Sequence, residues 1–315
     1  MTNPQTKIIF MGTSEFSVPI LMVLAKNFDV VAVVTEIDSP SGRGREVMAP
    51  PVKILAQKLG LLVFQPLSLK KNPNFCDQLK KFEPDLIVVA AYGKILPIEV
   101  LNLPKHGCLN VHPSLLPKYR GASPIQAALL NGDEITGVTI ILMDEMMDAG
   151  DIVAQKTMVI EPNDNSATLS LKLSELGAEL IVNTIPRFLD AGIQLIVQND
   201  KEVTFCKKIS KEDGRINWHE PVEIIANKVR AFYPWPKCYT LFNGRKLDIE
   251  MARIQAVEKA NNITPGTVEL IDRRVCVRCA DGYLALETVK LENKKSLNIK
   301  DFVNGRRDFI GAILR

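Results

Sequence analysis

Asn110 and His112 lie two residues apart in Cys108-Leu109-Asn110-Val111-His112-Pro113-Ser114-Leu115-Leu116-Pro117. On an extended chain such residues share a face, so an amide and an imidazole emerge side by side. Pro113 biases His112 toward extended backbone and carries that register to the strand end. Val111 points the other way, into core. Two donors aimed at one point can stabilise an oxyanion. A carboxylate downstream, Asp148 in Met147-Asp148-Ala149-Gly150-Asp151, is the candidate partner for the imidazole. Spacing alone does not bring Asp148 to His112. A polar residue beside a strand is ordinarily a satisfied structural group, and that alternative stands at this point.

Other chemistries find less support in the residues. Ser114 lacks a G-x-S-x-G elbow, and Cys108 falls inside a strand, so a protein nucleophile is not expected. The three histidines, His106, His112 and His219, form no H-E-x-x-H or comparable cluster, and no metal is expected. Cys276 and Cys279 make one C-x-x-C pair with no second pair and no nearby His. Gly12 stands alone after the first strand, without the G-x-G-x-x-G of a dinucleotide site. Direct transfer between two bound substrates remains, and it suits an amide, an imidazole and a carboxylate.

The elements around these residues alternate. Lys7–Met11 is an apolar run closed by Gly12, a helix follows through Ala25, and Asp29–Thr35 is the next strand. This βαβ unit implies a parallel sheet. Val52–Leu59 and Asn74–Phe82 read as helices, and Leu86–Ala91 as a buried central strand. Tyr92 to Pro97 leaves that strand where an open α/β sheet places its ligand. Ser123-Pro124 opens a short helix, Gly137–Met143 and Ile152–Ile160 are strands, and Ser166–Leu189 is a long helix. Its stripe of Leu169, Leu173, Leu176, Leu180 and Thr184 is core. Residues 190–208 lack helical periodicity and are placed as a linker. Beyond them the chain reads as a helix and then short strands with Asn243-Gly244 and Asp281-Gly282 turns, a pattern that suggests a small barrel. The expected architecture is α/β: a Rossmann-like, open, mostly parallel sheet with helices on both faces over 1–189, and a smaller C-terminal β-barrel over 209–315.

The chain has 315 residues, 46% hydrophobic and 24% charged, enough for two packed domains and unlike a disordered chain. The longest apolar run, Leu86–Ala91, is far too short to span a membrane, and no secretory signal is visible. Six scattered cysteines suit a reducing, cytoplasmic setting. Residues 1–208 hold 20 Lys+Arg against 22 Asp+Glu, whereas 209–315 hold 19 against 14. A basic C-terminal part is compatible with nucleic acid, and equally with an ordinary surface. Ser41-Gly42-Arg43-Gly44-Arg45 is a glycine-rich loop whose arginines are candidate phosphate contacts.

The combination Asn110-x-His112-Pro113-Ser114-Leu115-Leu116-Pro117 with Asp148-Ala149-Gly150-Asp151 resembles the folate-dependent formyltransferases. Further segments extend the resemblance through both halves: Gly42-Arg43-Gly44-Arg45 before Pro50-Pro51-Val52-Lys53, Arg120-Gly121-Ala122-Ser123-Pro124-Ile125-Gln126, Lys211-Glu212-Asp213, and Arg230-Ala231-Phe232-Tyr233-Pro234-Trp235-Pro236. The central motif does not specify the acceptor. The Gly-Arg loop and the C-terminal aromatic-proline segment point to the branch whose acceptor is initiator methionyl-tRNA. Glu36-Ile37-Asp38 and Glu145-Met146-Met147 depart from the family pattern.

The resemblance implies 10-formyltetrahydrofolate as donor, held by Ser114, Leu115, Leu116 and Pro117, with Ile95 and Leu96 lining the pterin pocket. It implies that Asn110 and His112 stabilise the oxyanion, while Asp148 orients His112 and helps remove the amine proton through water. It implies tRNA contacts from Arg43 and Arg45, a C-terminal barrel resembling an OB-fold, and a cytoplasmic monomer. Glycinamide ribonucleotide, an amino sugar or water are rival acceptors. A noncatalytic RNA-binding protein and a nucleotide-dependent oxidoreductase are rivals of other classes.

Overall fold

The computed structural model describes residues 5–41, 46–70, 72–257 and 263–315. Arg43 and Arg45 lie outside the described residues. The chain divides into two compact units, one of Met1–Pro124, Ile135–Val159 and Ser170–Cys206, the other of Ile125–Glu134, Ile160–Leu169 and Lys207–Arg315.

The first unit begins with β1 (Lys7–Gly12), α1 (Ser17–Asn27), β2 (Asp29–Val34), β3 (Ser39–Ser41), β4 (Glu46–Met48), α2 (Pro51–Lys58) and β5 (Val63–Phe64). It continues with α3 (Pro73–Lys80), β6 (Leu86–Ala90), α4 (Ile98–Leu101), β7 (Cys108–His112) and β8 (Arg120–Gly121). Next come α5 (Pro124–Leu130), all but its first residue in the second unit, then β9 (Ile135–Leu142), β10 (Ile152–Val159), α6 (Ser166–Leu189), whose first four residues lie in the second unit, and β11 (Phe205–Cys206). The main sheet has the order β10-β9-β7-β6-β1-β2-β5. Its members from β5 to β7 are parallel, and β9 and β10 add an antiparallel edge. Strand order reverses between β1 and β6, which is where such a sheet opens a crevice at its carboxyl edge. The Thr13 hydroxyl bridges the two strand ends by donating to the Tyr92 carbonyl at 2.9 Å.

Alternation along the strands sends side chains to two covered faces. Ile9, Met11, Ile87, Val89 and Cys108 pack with Phe75 and Leu79 of α3 and Val100 and Leu101 of α4. The opposite face meets α1 and α6: a Cβ on Gly177 of α6 would lie 2.8 Å from Val111 and 3.8 Å from Ile20. Val111 is buried. Because Cys108 points to the α3–α4 side, Asn110 and His112 do too, as the two-residue spacing requires. On α6 the buried line runs through Leu169, Leu173, Leu176, Ile181 and Ile185. Leu180 is half-buried, displaced from the line by Ile181.

Residues 190–206 are not a bare spacer. Ile196 pairs with Ile152, and β11 pairs in parallel with β8. The second unit carries α7 (Val222–Ala231), β12 (Cys238–Phe242), β13 (Arg245–Gln255), β14 (Val268–Ile271), β15 (Arg274–Arg278), β16 (Tyr283–Leu291), β17 (Leu297–Asn298) and α8 (Ile299–Asn304). Its antiparallel sheet has the order β12-β13-β16-β15-β14, with β17 on β16. The last residues close it. Arg315 exchanges backbone hydrogen bonds with Leu241 of β12 at 2.7 and 3.1 Å, and Gly311 and Ala312 pair with Val268 of β14 at 2.8 and 2.9 Å. Phe242, Phe302 and Phe309 fill the interior edge to face, Phe309 lying 5.0 Å from each of the others. The barrel expected from turn spacing is thus present, with its seam sealed by the C-terminus.

Candidate active site

Asp148 gathers the cluster. Its Oδ1 accepts from Asn110 Nδ2 at 3.4 Å and lies 3.6 Å from His112 Nδ1. Its Oδ2 accepts from the Gly121 backbone N–H at 2.9 Å. Asn110 and His112 come from the carboxyl end of β7, Gly121 from β8, and Asp148 from the loop that joins β9 to β10. The loop can turn there because Gly150 has no side chain: a Cβ would lie 1.8 Å from the Leu142 carbonyl oxygen. Asp148 itself is held at φ +54°, a left-handed conformation uncommon outside glycine.

His112 is fixed at its other nitrogen. Nε2 lies 3.1 Å from the Tyr119 carbonyl oxygen, which can only accept, so this nitrogen carries the proton in the neutral ring. The Nδ1 lone pair then faces Asp148. A neutral His112 is therefore a proton acceptor on the Asp148 side, and it donates from Nδ1 only as imidazolium. Burial holds its pKa below the ordinary 6.5, opposed by the Asp148 charge and by the Tyr119 carbonyl. The unfolded chain binds a proton as pH falls through 6.5 while the folded chain still refuses it. Stability therefore drops below that pH, by at most about 1.4 kcal/mol per pH unit, and this contribution vanishes above it. Urea unfolding between about pH 7 and 5 is expected to show this loss, and H112N is expected to flatten it. Equal slopes in both proteins would show that His112 does not resist protonation.

The structure distributes the other sequence candidates unequally. Ser114 is buried, and its hydroxyl donates to the Lys118 carbonyl at 2.7 Å. The Thr139 hydroxyl donates to the Ser114 carbonyl at 2.6 Å and accepts from the Leu116 N–H at 3.0 Å. Leu116 packs with Ile141 and Ile152, while Leu115 and Pro117 are half-buried. These four residues anchor the loop that carries Tyr119 to Gly121. Leu96 belongs to the α3–α4 core, whereas Ile95 stands exposed past β6, as do Met146 and Met147 before Asp148. Sequence reasoning missed the Tyr119 carbonyl and the Gly121 N–H, which as backbone groups have no signature of their own. It also missed Gln198, whose segment has no periodicity to mark it. Among the described residues no group of His, Cys, Asp or Glu is arranged to hold a metal.

Comparison with known proteins bears on this cluster. A family model described as formyl transferase matches residues 6–185, and one described as formyl transferase, C-terminal domain, matches 208–307. The chain is 43% identical over 310 residues to the methionyl-tRNA formyltransferase of Caldanaerobacter subterraneus, covering 98% of this chain and all of the relative. It is 44% identical over 301 residues to that of Listeria innocua, covering 95% and 96%. Among solved structures, an N-formyltransferase from Helicobacter canadensis, in complex with folinic acid and dTDP-3-aminofucose, superposes with a TM-score of 0.66 at 18% identity over 92% of this chain and all of that one. HypX from Aquifex aeolicus in complex with tetrahydrofolic acid gives 0.64 at 18% identity; the chain is 98% covered and spans about half of HypX. At these identities the structures show the fold alone.

Proposed function

The chain belongs to the formyl transferase family, and from that premise we propose that it carries a formyl group from 10-formyltetrahydrofolate to the α-amine of methionine on initiator tRNA. The observation that carries this is identity of 43–44% along nearly the whole chain, both domains included, with methionyl-tRNA formyltransferases. Transfer is tested by offering the formyl donor with methionyl-tRNA, glycinamide ribonucleotide, a dTDP-amino sugar or water in parallel. Formylation of methionyl-tRNA well above the other three is expected. Preferential use of any other acceptor overturns the reading.

In the reaction the amine nitrogen attacks the formyl carbon, the carbon–nitrogen bond to the folate breaks, and the proton lost by the amine is balanced by one delivered to the departing folate nitrogen. Asn110 has a second amide N–H beyond the one on Asp148, and this one serves the formyl oxygen as it gains charge. His112 Nδ1 and Asp148 take up the amine proton, directly or through one water. Uptake requires neutral His112 or ionised Asp148, so the transfer rate falls in acid. Ile95 and the chain around Ser114 to Pro117 border the folate. Catalysis is assigned to 1–189, the connection to 190–208, and tRNA holding to the basic 209–315. The family resemblance implies a cytoplasmic monomer. Among the described residues no helix is long and apolar enough to cross a membrane.

Arg43 and Arg45 are assigned to the acceptor stem. The chain that precedes them is anchored: Lys53 pairs with Asp38 at 2.7 Å, and Gln65 donates to the Glu36 carbonyl at 2.7 Å and to Asp38 at 2.8 Å. A fixed segment with two arginines beyond it suits phosphate contacts. The double variant R43A/R45A is expected to lose tRNA affinity about tenfold and to reduce the salt slope by about one to two, with folate binding unchanged. Single-turnover formylation at two salt concentrations measures both. Identical rates and slopes would move the tRNA contact to the barrel alone.

A further inference from the structure

Gln198 lies in the stretch that neither family model covers, between residue 185 and residue 208. It is nevertheless 6% exposed. Its Nε2 donates to the carbonyl oxygens of Asp148, at 2.9 Å, and of Gly150, at 2.8 Å. Its Oε1 accepts from Arg120 Nε at 3.0 Å. Both amide protons and the amide oxygen are thus engaged, and only one orientation of the amide works. Rotated by half a turn, it would set its oxygen against two carbonyls and its NH2 against a guanidinium.

We infer that Gln198 is a positioning residue that holds Asp148 in register with Asn110 and His112, an inference that rests on the formyl-transfer reading above. Three observations converge. Asp148 has a left-handed backbone, which persists only where its surroundings over-determine it. Gln198 grips that backbone at Asp148 and again two residues on, spanning the turn. Arg120, which fixes the Gln198 amide, immediately precedes Gly121, whose N–H holds the Asp148 carboxylate. Gln198 and Arg120 therefore connect the backbone of Asp148 to the strand that orients its side chain. The pairing of Ile196 with Ile152 delivers Gln198 to this place. Asn110 and His112 meet Asp148 through longer contacts, at 3.4 and 3.6 Å, so a small rotation of the loop would separate them.

The test measures single-turnover transfer to methionyl-tRNA by wild type, Q198M and Q198E, each also in a D148N background. Q198M keeps side-chain length and removes the three polar contacts. It is expected to slow transfer about 10- to 100-fold, because misplacement near 1 Å has that effect. The apparent KM values for both substrates should stay within about twofold. In the D148N background the same change should alter the rate by less than about threefold, since residues acting through one another are not additive. Q198E carries a carboxylate against two carbonyls at neutral pH and regains one donor when protonated. Its rate relative to wild type should rise as pH falls, a signature methionine cannot give.

A Q198M rate within about twofold of wild type overturns the inference, as does the same loss in both backgrounds, which would mark a purely structural role. If Q198M does not fold, the pH dependence of Q198E decides, and a flat ratio overturns it. Wild type that fails to formylate methionyl-tRNA overturns the functional reading and this inference together. An active wild type with contrary variants overturns this inference alone.

Discussion

Asp148→Ala is expected to slow single-turnover formyl transfer by about 10³-fold or more while leaving folate binding intact. One substitution removes the acceptor for the Asn110 amide, the neighbour of His112 Nδ1 and the anchor of the Gly121 N–H. Loss of a proton acceptor is worth about 10² to 10⁴ in rate. Loss of an oriented oxyanion donor is worth about 10² to 10³. The effects overlap because the residues act as one unit, so the product of the two overstates the total. For the same reason, N110A added to D148A should change the rate by far less than N110A alone. Rapid-quench measurement with saturating donor reads the chemical step. A rate within about threefold of wild type would remove Asp148 from that step and leave it a structural acceptor.

The facing of Asn110 and His112 is legible in the sequence, because a two-residue spacing on a strand has one geometric outcome and Pro113 protects it. The mostly parallel sheet was legible for a similar reason: β1, α1 and β2 are marked by apolar runs around a single glycine. Contact between Asp148 and Asn110 was not legible, since they are 38 residues apart and meet through an antiparallel strand pair. Only the motif resemblance joined them. The direction of Ser114 was hidden as well. Its hydroxyl turns inward to Lys118, a choice made by the loop rather than by residue type. Residues 190–208 read as a linker because the contacts of residues 190–206 are short pairings, Ile196 with Ile152 and β11 with β8, and scattered side-chain bonds, which leave no period in the sequence. The barrel's seam is sealed by Gly311 to Arg315, a stretch too short and too near the end to carry a strand pattern.

The second large effect follows from a missing side chain. Gly121 has φ +124°, and a Cβ there would lie 2.3 Å from the Cys206 carbonyl oxygen and 3.3 Å from its sulfur. No flexible side-chain end is available to yield, because the near atom is backbone of the paired strand β11. G121A must therefore push β8 from β11 and carry the Gly121 N–H away from Asp148. Two losses are expected together. Stability should fall by about 1–3 kcal/mol from overpacking, with a further cost from the unfavourable φ. Transfer should fall about 10²-fold, the scale of a small misplacement at a reacting centre. Gly60 supplies the control, with φ +71° and nothing within 4 Å of a Cβ. G60A carries the conformational cost alone, about 1 kcal/mol, and should leave the transfer rate unchanged. Urea unfolding and single-turnover rates of the two variants separate the contributions. Should G121A match G60A in both measurements, β8 and β11 can part without disturbing Asp148. The carboxylate would then owe its orientation to Asn110 and the Asp148–Gly150 turn, not to the Gly121 N–H.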